Sequence, residues 1–230
     1  MRVARALAAG LVLALFVVGL ALYPMLHPTF TKLLSQRYSL VADTGLSNKR
    51  VLQVAERVRD FVADDDREPL PTTVDGRPGF DAAATSHLRD VHQVLGGARV
   101  ATGLLAALVV VGMGVLIARR RFAAISDAML AGGAVCMLLV ALAALAGTMN
   151  FESFFGWFHG LFFSAGTWEF PADSLLIEVF PDGFWMAAGL TWGALVLLGG
   201  AVLGVAGWLV RGTELHASGG AVAGRRMNDA

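Results

Sequence analysis

Five histidines carry most of the acid–base chemistry open to this chain, and two of them, His87 and His159, fall where they could share one site. His87 opens the run His87-Leu88-Arg89-Asp90-Val91-His92, in which His87 and Asp90 stand three apart and share a helix face. That carboxylate is placed to orient the imidazole and hold one tautomer. His92 faces elsewhere around the helix, so the triplet makes a poor metal site. His159 lies inside Phe151–Phe163, a stretch aromatic on nearly every side, where an unsatisfied polar ring is costly to bury. Two imidazoles near one another can act as base and acid near neutral pH. The bland alternatives are a polar helix entering a membrane for 87–92, and an interfacial histidine with one hydrogen bond for His159.

Other chemistry is missing from the sequence. It has no Gly-x-Ser-x-Gly elbow and no His-Glu-x-x-His zinc helix. Cys136 is the only cysteine, so no internal disulfide or thiol zinc site forms, and its expected role is that of a small buried side chain. His27 stands between Pro24 and Pro28, and His216 lies in a Gly/Ser/Ala-rich tail; neither is singled out by its neighbours. No metal or cofactor is called for. An enzyme built from these residues uses histidines directly, or a nucleophile that the substrate brings.

The elements that must position the histidines are membrane helices. Four uncharged stretches, Ala6–Tyr23, Val100–Ala118, Ala128–Asn150 and Gly183–Val210, are each about the ~20 residues needed to cross a ~30 Å hydrocarbon core. Lipid offers no backbone partners, so each must be helical. The composition agrees, with 56% hydrophobic and 16% charged residues and a mean hydropathy of +0.64. Spans are expected at about 6–26, 99–118, 124–149 and 183–210 in a single membrane domain. No charged group lies within the uncharged stretches, which argues against a transporter or proton pump. A net charge of zero and the lack of a basic stripe argue against nucleic acid as a partner.

Arginines set the expected orientation. Arg2 and Arg5 precede the first span, Arg119, Arg120 and Arg121 follow the second, and Arg211, Arg225 and Arg226 follow the fourth. The positive-inside rule therefore places both termini in the cytoplasm. Residues 27–98 and 150–182 then lie on the outer face, which is where His87 and His159 belong. An uncleaved first span fits better than a cleaved signal peptide.

Residues 27–98 read as a helical extracytoplasmic cap. Ser47 caps a helix bearing Val51, Val54, Val58 and Phe61 at helical spacing. Pro69, Pro71, Gly76, Pro78 and Gly79 mark an irregular crossing, and a further helix from near Phe80 runs toward the second span. In the 150–182 segment, Phe151–Phe163 reads as a short re-entrant or interfacial helix, with Trp157, Trp168 and Trp185 in an interfacial belt. Ser174 or Asp173 caps a short helix before Pro181. Residues 211–230 read as a disordered cytoplasmic tail. The fold class is an all-α membrane protein of four spans, an outer helical cap and a short outer helix. Glycines four apart, at Gly189/Gly193 and Gly200/Gly204, favour close helix packing.

The motifs His87-Leu88-Arg89-Asp90-Val91, Phe158-His159-Gly160-Leu161-Phe162-Phe163, Trp168-Glu169-Phe170-Pro171, Asp173-Ser174-Leu175-Leu176-Ile177 and Phe180-Pro181 resemble those of a family of bacterial four-span proteins, the lipoprotein intramolecular transacylases (Lit). The resemblance covers most of the chain, and its motifs are specific as a set. It implies that His87 and His159 match the family's functional histidines. It further implies an acyltransferase in a bacterial cell membrane, acting near the outer leaflet on a diacylglyceryl-modified lipoprotein. There an acyl chain moves from the sn-2 ester of the lipid to the α-amino group of the N-terminal cysteine. Asp90, Trp157, Phe162, Trp168 and Asp173 are the candidates for binding or orienting substrate, with Trp157 and Phe162 seating acyl chains. The competing expectation is a non-catalytic membrane protein that binds a lipid or a partner through its outer cap, since fold does not fix function.

Overall fold

The structure, a computed structural model, describes residues 1–39, 44–64 and 68–228, with the backbone alone for 214–228. Its long helices are α1 (Arg2–Leu20), α4 (Ala82–Ala118), α5 (Phe122–Met149) and α8 (Asp182–Asn228). Between them lie α2 (Pro28–Tyr38), α3 (Asn48–Ala63), α6 (Phe151–Gly160) and α7 (Leu175–Val179). Four segments are long and apolar enough to cross a membrane: Arg2–Leu26, Ala82–Ala118, Phe122–Met149 and Asp182–Thr213. The protein is therefore an all-α, multi-pass membrane protein. Helix α4 has 37 residues, roughly 55 Å at 1.5 Å per residue, and so is longer than a bilayer core. Its uncharged part begins at Val100, after Arg99, which leaves His87 on the extension that precedes the span.

The chain forms two compact units. The first comprises Met1–Leu20, Ala101–Leu142 and Ala194–Ala230. Its helices approach through small residues, because lipid supplies no hydrophobic drive between them and packing must. A Cβ on Gly10 of α1 would lie 2.6 Å from the Ala131 Cβ of α5. One on Gly200 of α8 would lie 2.7 Å from the Cys136 Cβ, and one on Gly133 would lie 2.7 Å from the Gly200 carbonyl oxygen. The Gly200/Gly204 pair thus packs within the bundle, against α5. Among the described residues, no neighbour lies within 4 Å of a Cβ built on Gly189. Ser126 donates to the Gly207 carbonyl at 2.7 Å. Asp127 joins three helices by accepting from Arg2 Nε at 2.8 Å and from Arg211.

The second unit comprises Ala21–Val100 and Ala143–Gly193. Helix α3 begins where the Ser47 hydroxyl accepts from Arg50 N–H at 3.3 Å. Its buried stripe, Val51, Val54, Ala55 and Val58, meets Phe80, Leu88, Leu175 and Val179 in one core. Phe80 is only 1% exposed. Helix α7 is set by Ser174, which caps the Ile177 N–H at 3.4 Å. Ser39 ties this helix to the end of α2 by donating to the Val179 carbonyl at 2.7 Å. Arg77 and Glu178 form an ion pair at 2.6 Å, largely shielded from solvent.

Two sequence expectations differ from the structure. The crossing expected to be irregular holds a small antiparallel hairpin, β1 (Thr73–Val74) with β2 (Arg77–Pro78). Asp75 and Gly76 turn it with φ of 49° and 84°, the paired positive values that a two-residue type I′ loop requires. The 211–230 tail, expected to be disordered, is helical as far as Asn228. Extending a formed helix is far easier than nucleating one, and Leu215, Ala217, Ala221 and Ala223 are good helix formers. Of the helix that the sequence suggests over Phe30–Val41, the structure describes α2 as far as Tyr38, and residues 40–43 lie outside the described chain.

Candidate active site

Two local signals bring the histidines to one place in the second unit. Asp81 accepts from the Ala84 N–H at 2.7 Å and starts α4. Ala84 and Leu88 then face the core, which leaves His87 beside it, 8% exposed. At the other end, Asn150 stops α5 and caps α6, accepting from the Ser153 N–H at 2.9 Å. Helix α6 then carries Phe155 and His159 one turn apart on one face.

The ring centroids of His87 and His159 are 6.4 Å apart and tilted by 32°. Phe163 and Phe170 flank His87 at 4.9 and 5.6 Å. Phe155 lies 4.0 Å from His159 and Trp168 lies 4.8 Å from it. The pair therefore sits in an aromatic cage, a setting of low dielectric in which charge is costly.

Hydrogen bonding distinguishes the two imidazoles. His159 Nδ1 lies 2.9 Å from the Phe155 carbonyl, an acceptor only, so Nδ1 carries the proton and Nε2 is left with its lone pair. His87 Nδ1 is buried with no hydrogen-bond partner among the described residues. Burial lowers the proton affinity of His159, against an opposing pull from the Phe155 carbonyl. It lowers that of His87 as well, helped by the charge of His159 and opposed by Asp90. A positive charge on one ring thus disfavours a second on the other.

Among the candidates named from sequence, His87, His159 and Trp168 come together. Asp90 acts on His87 through its charge, not by a hydrogen bond to Nδ1, because that atom has no partner among the described residues. Trp157 and Phe162 are 61% and 48% exposed, and their rings pair with Phe154 and with Phe158 and Phe163 rather than with either histidine. Asp173 is exposed, beside the Ser174 cap. The sequence reading missed Phe155 and Phe163 as walls of the site. They stand four residues before and after His159, a spacing that puts all three on one side where the turn remains helical. Phe170 comes from a separate loop and had no such signal.

Two further histidines have structural partners. His92 Nδ1 lies 3.2 Å from the Val62 carbonyl and so tethers α4 to the end of α3. His27 Nδ1 accepts from the Thr29 N–H at 3.3 Å and caps α2.

Comparison with known proteins follows the same outline. The chain matches the in meso structure of the membrane-integral lipoprotein intramolecular transacylase Lit from Bacillus cereus with a TM-score of 0.77 at 16% identity, over 94% of this chain and 98% of that one. A variant of that protein with one histidine replaced by arginine matches at 0.72 and 15% identity, over 94% of this chain and 95% of the other. Its alanine counterpart matches at 0.72 and 15%, over 94% and 96%. At such identities the structures show a shared fold. No curated protein sequence matches the chain. The family model of the lipoprotein intramolecular transacylase Lit matches residues 6–185, well over half of the sequence. This chain belongs to the Lit family.

Proposed function

We propose that this protein is a lipoprotein transacylase that uses His87 and His159 as its acid–base pair. The observation that carries the reading is the 6.4 Å approach of the two rings in an aromatic cage, with His159 held so that Nε2 is its free nitrogen. The substrate is a diacylglyceryl-modified lipoprotein, which brings both the amine nucleophile and the ester. The protein has three tasks. It removes a proton from the α-ammonium of the terminal cysteine, holds amine and ester together, and returns a proton to the departing glyceryl oxygen. Positioning can contribute up to about 7–11 kcal/mol, and acid–base help a further ~10²–10⁴ in rate. Two imidazoles in one aromatic cage that resist being charged together suit the second role: one holds the proton that passes from the free amine to the departing oxygen, and the ammonium's other proton is released to the medium.

Arginines at the expected cytoplasmic helix ends support placing this site toward the outer leaflet, with both termini inside. The test is mass spectrometry of a diacylglyceryl-cysteine lipopeptide incubated with purified protein. Conversion to the N-acylated lyso form should fall about 10²-fold or more in His87→Ala and in His159→Ala. The double variant should be little worse than either single one, because members of one proton relay are not additive. Near-normal conversion without either histidine would overturn the assignment.

A further inference from the structure

The cage contains a second polar atom with no explained role. Trp168 stacks on His159 at 4.8 Å with the planes 33° apart. Its six-membered ring is seated over α6, where a Cβ on Gly156 would lie 3.6 Å from Trp168 Cη2. Yet its indole N–H is buried and has no acceptor among the described residues. Buried indole donors usually find a partner, and an orphaned one lowers stability. The same cage buries His87 Nδ1 without a partner among the described residues, so two orphaned polar atoms sit on rings that both neighbour His159. Orphans gathered at one place point to a group that arrives with the substrate.

We propose that the Trp168 indole N–H is the hydrogen-bond donor to the acyl carbonyl oxygen as it becomes an oxyanion. The inference rests on the acyl-shift reading and deepens it. In that reaction the amine nitrogen forms a bond to the ester carbonyl carbon, and the carbonyl π electrons move onto oxygen. One imidazole takes the proton that the nitrogen loses. When the intermediate collapses, the C–O bond to the glyceryl carbon's oxygen breaks, and that oxygen receives the proton. Neither histidine neutralises the carbonyl oxygen while it carries negative charge. An indole N–H is suited to that task because it donates, never accepts, and stays un-ionised at working pH. Held by stacking in a water-poor cage, it needs no reorganisation as charge develops. The ring carrying the donor rests on the ring carrying the base, so one acyl group can reach both.

Trp168→Phe keeps an aromatic ring on His159 and removes the donor, together with some of the ring surface seated over α6. In the folded variant, kcat on the diacylglyceryl lipopeptide should fall by about 10²–10³, with KM changed by only a few-fold. A kcat within threefold of wild type would overturn the proposal. Should that variant fail to fold, the wild-type protein labelled with 15N at its indoles decides. A tetrahedral alkylphosphonate lipid should move the Trp168 indole proton downfield, and an unmoved signal at saturating phosphonate would overturn the role. Activity lost in His87→Ala and His159→Ala but retained in Trp168→Phe would leave the acyl shift standing and remove Trp168 from it. A wild-type protein that does not turn over the lipopeptide would instead refute the acyl-shift reading.

Discussion

Replacing Gly133 by alanine tests the helix packing of the first unit with one methyl group. That methyl would stand 2.7 Å from the Gly200 carbonyl oxygen and 3.1 Å from the Gly204 nitrogen. Both are backbone atoms of α8, so no side chain can turn aside. Restoring an ordinary C···O contact of about 3.3 Å requires α5 and α8 to part by roughly 0.6 Å. Such overpacking typically costs about 1–3 kcal/mol. Alanine regains about 0.8–1 kcal/mol over glycine in helix propensity, so the net loss is roughly 0–2 kcal/mol. Gly133→Val adds bulk and surrenders most of the propensity gain, so its net loss should exceed about 2 kcal/mol by the same comparison. Cys136 is a reporter built into the contact, since it is 0% exposed and lies 2.7 Å from where a Gly200 Cβ would be. Thermal unfolding in detergent should rank wild type above Gly133→Ala and that above Gly133→Val. Maleimide labelling of Cys136 should accelerate in the reverse order. A valine variant as stable as wild type, with an unreactive thiol, would refute the close approach of α5 and α8.

Three further outcomes are expected. Both histidines have proton affinities below the ordinary value of 6.5, so their contribution to stability is present above pH 6.5 and lost as pH falls through the lower folded values. The transfer rate should likewise hold down to about pH 6.5 and decline only below it; an acid limb lying above 6.5 in the pH–rate profile would contradict this. Val58→Asp places an unpaired charge at a position 4% exposed and should cost a few kcal/mol, read as a lowered Tm in detergent; an unchanged Tm would show that this face is not buried. A cysteine introduced at residue 72 in a Cys136→Ala background should react with an impermeant reagent on intact cells, and one at Arg120 should not; the reverse pattern would invert the orientation.

Much of the fold was legible because its signals are local. Uncharged runs of about 20 residues mark the four membrane helices, and Ser47 and Ser174 announce helix starts through a single hydroxyl each. The Asp75-Gly76 hairpin was equally local, but the prolines around it drew the eye to an irregular loop. The rest depends on contacts distant in sequence. Asp127 lies 125 residues from Arg2 and 84 from Arg211, and nothing around it reveals that it joins three helices. At the site, the motifs singled out both histidines, whereas Phe155 and Phe163 went unnamed although their spacing puts them within reach of His159. Trp157 and Phe162 were harder to place, because in a stretch aromatic on every side periodicity does not tell the inward face from the outward one. Phe170 and the stacking of Trp168 on His159 follow from how a loop folds back, which no spacing encodes.

The bond between His159 Nδ1 and the Phe155 carbonyl also bears on how the proposed reaction could run where water is scarce. With one nitrogen committed to the backbone, His159 has a single open position for a mobile proton. On its way to an amide the ammonium gives up two protons, and the alkoxide recovers only one. The step from free amine to amide closes its own proton inventory, so it can pass through that single position with no water in the cage. The second proton must leave for the medium once per turnover, so the entrance has to pass a proton as well as lipid.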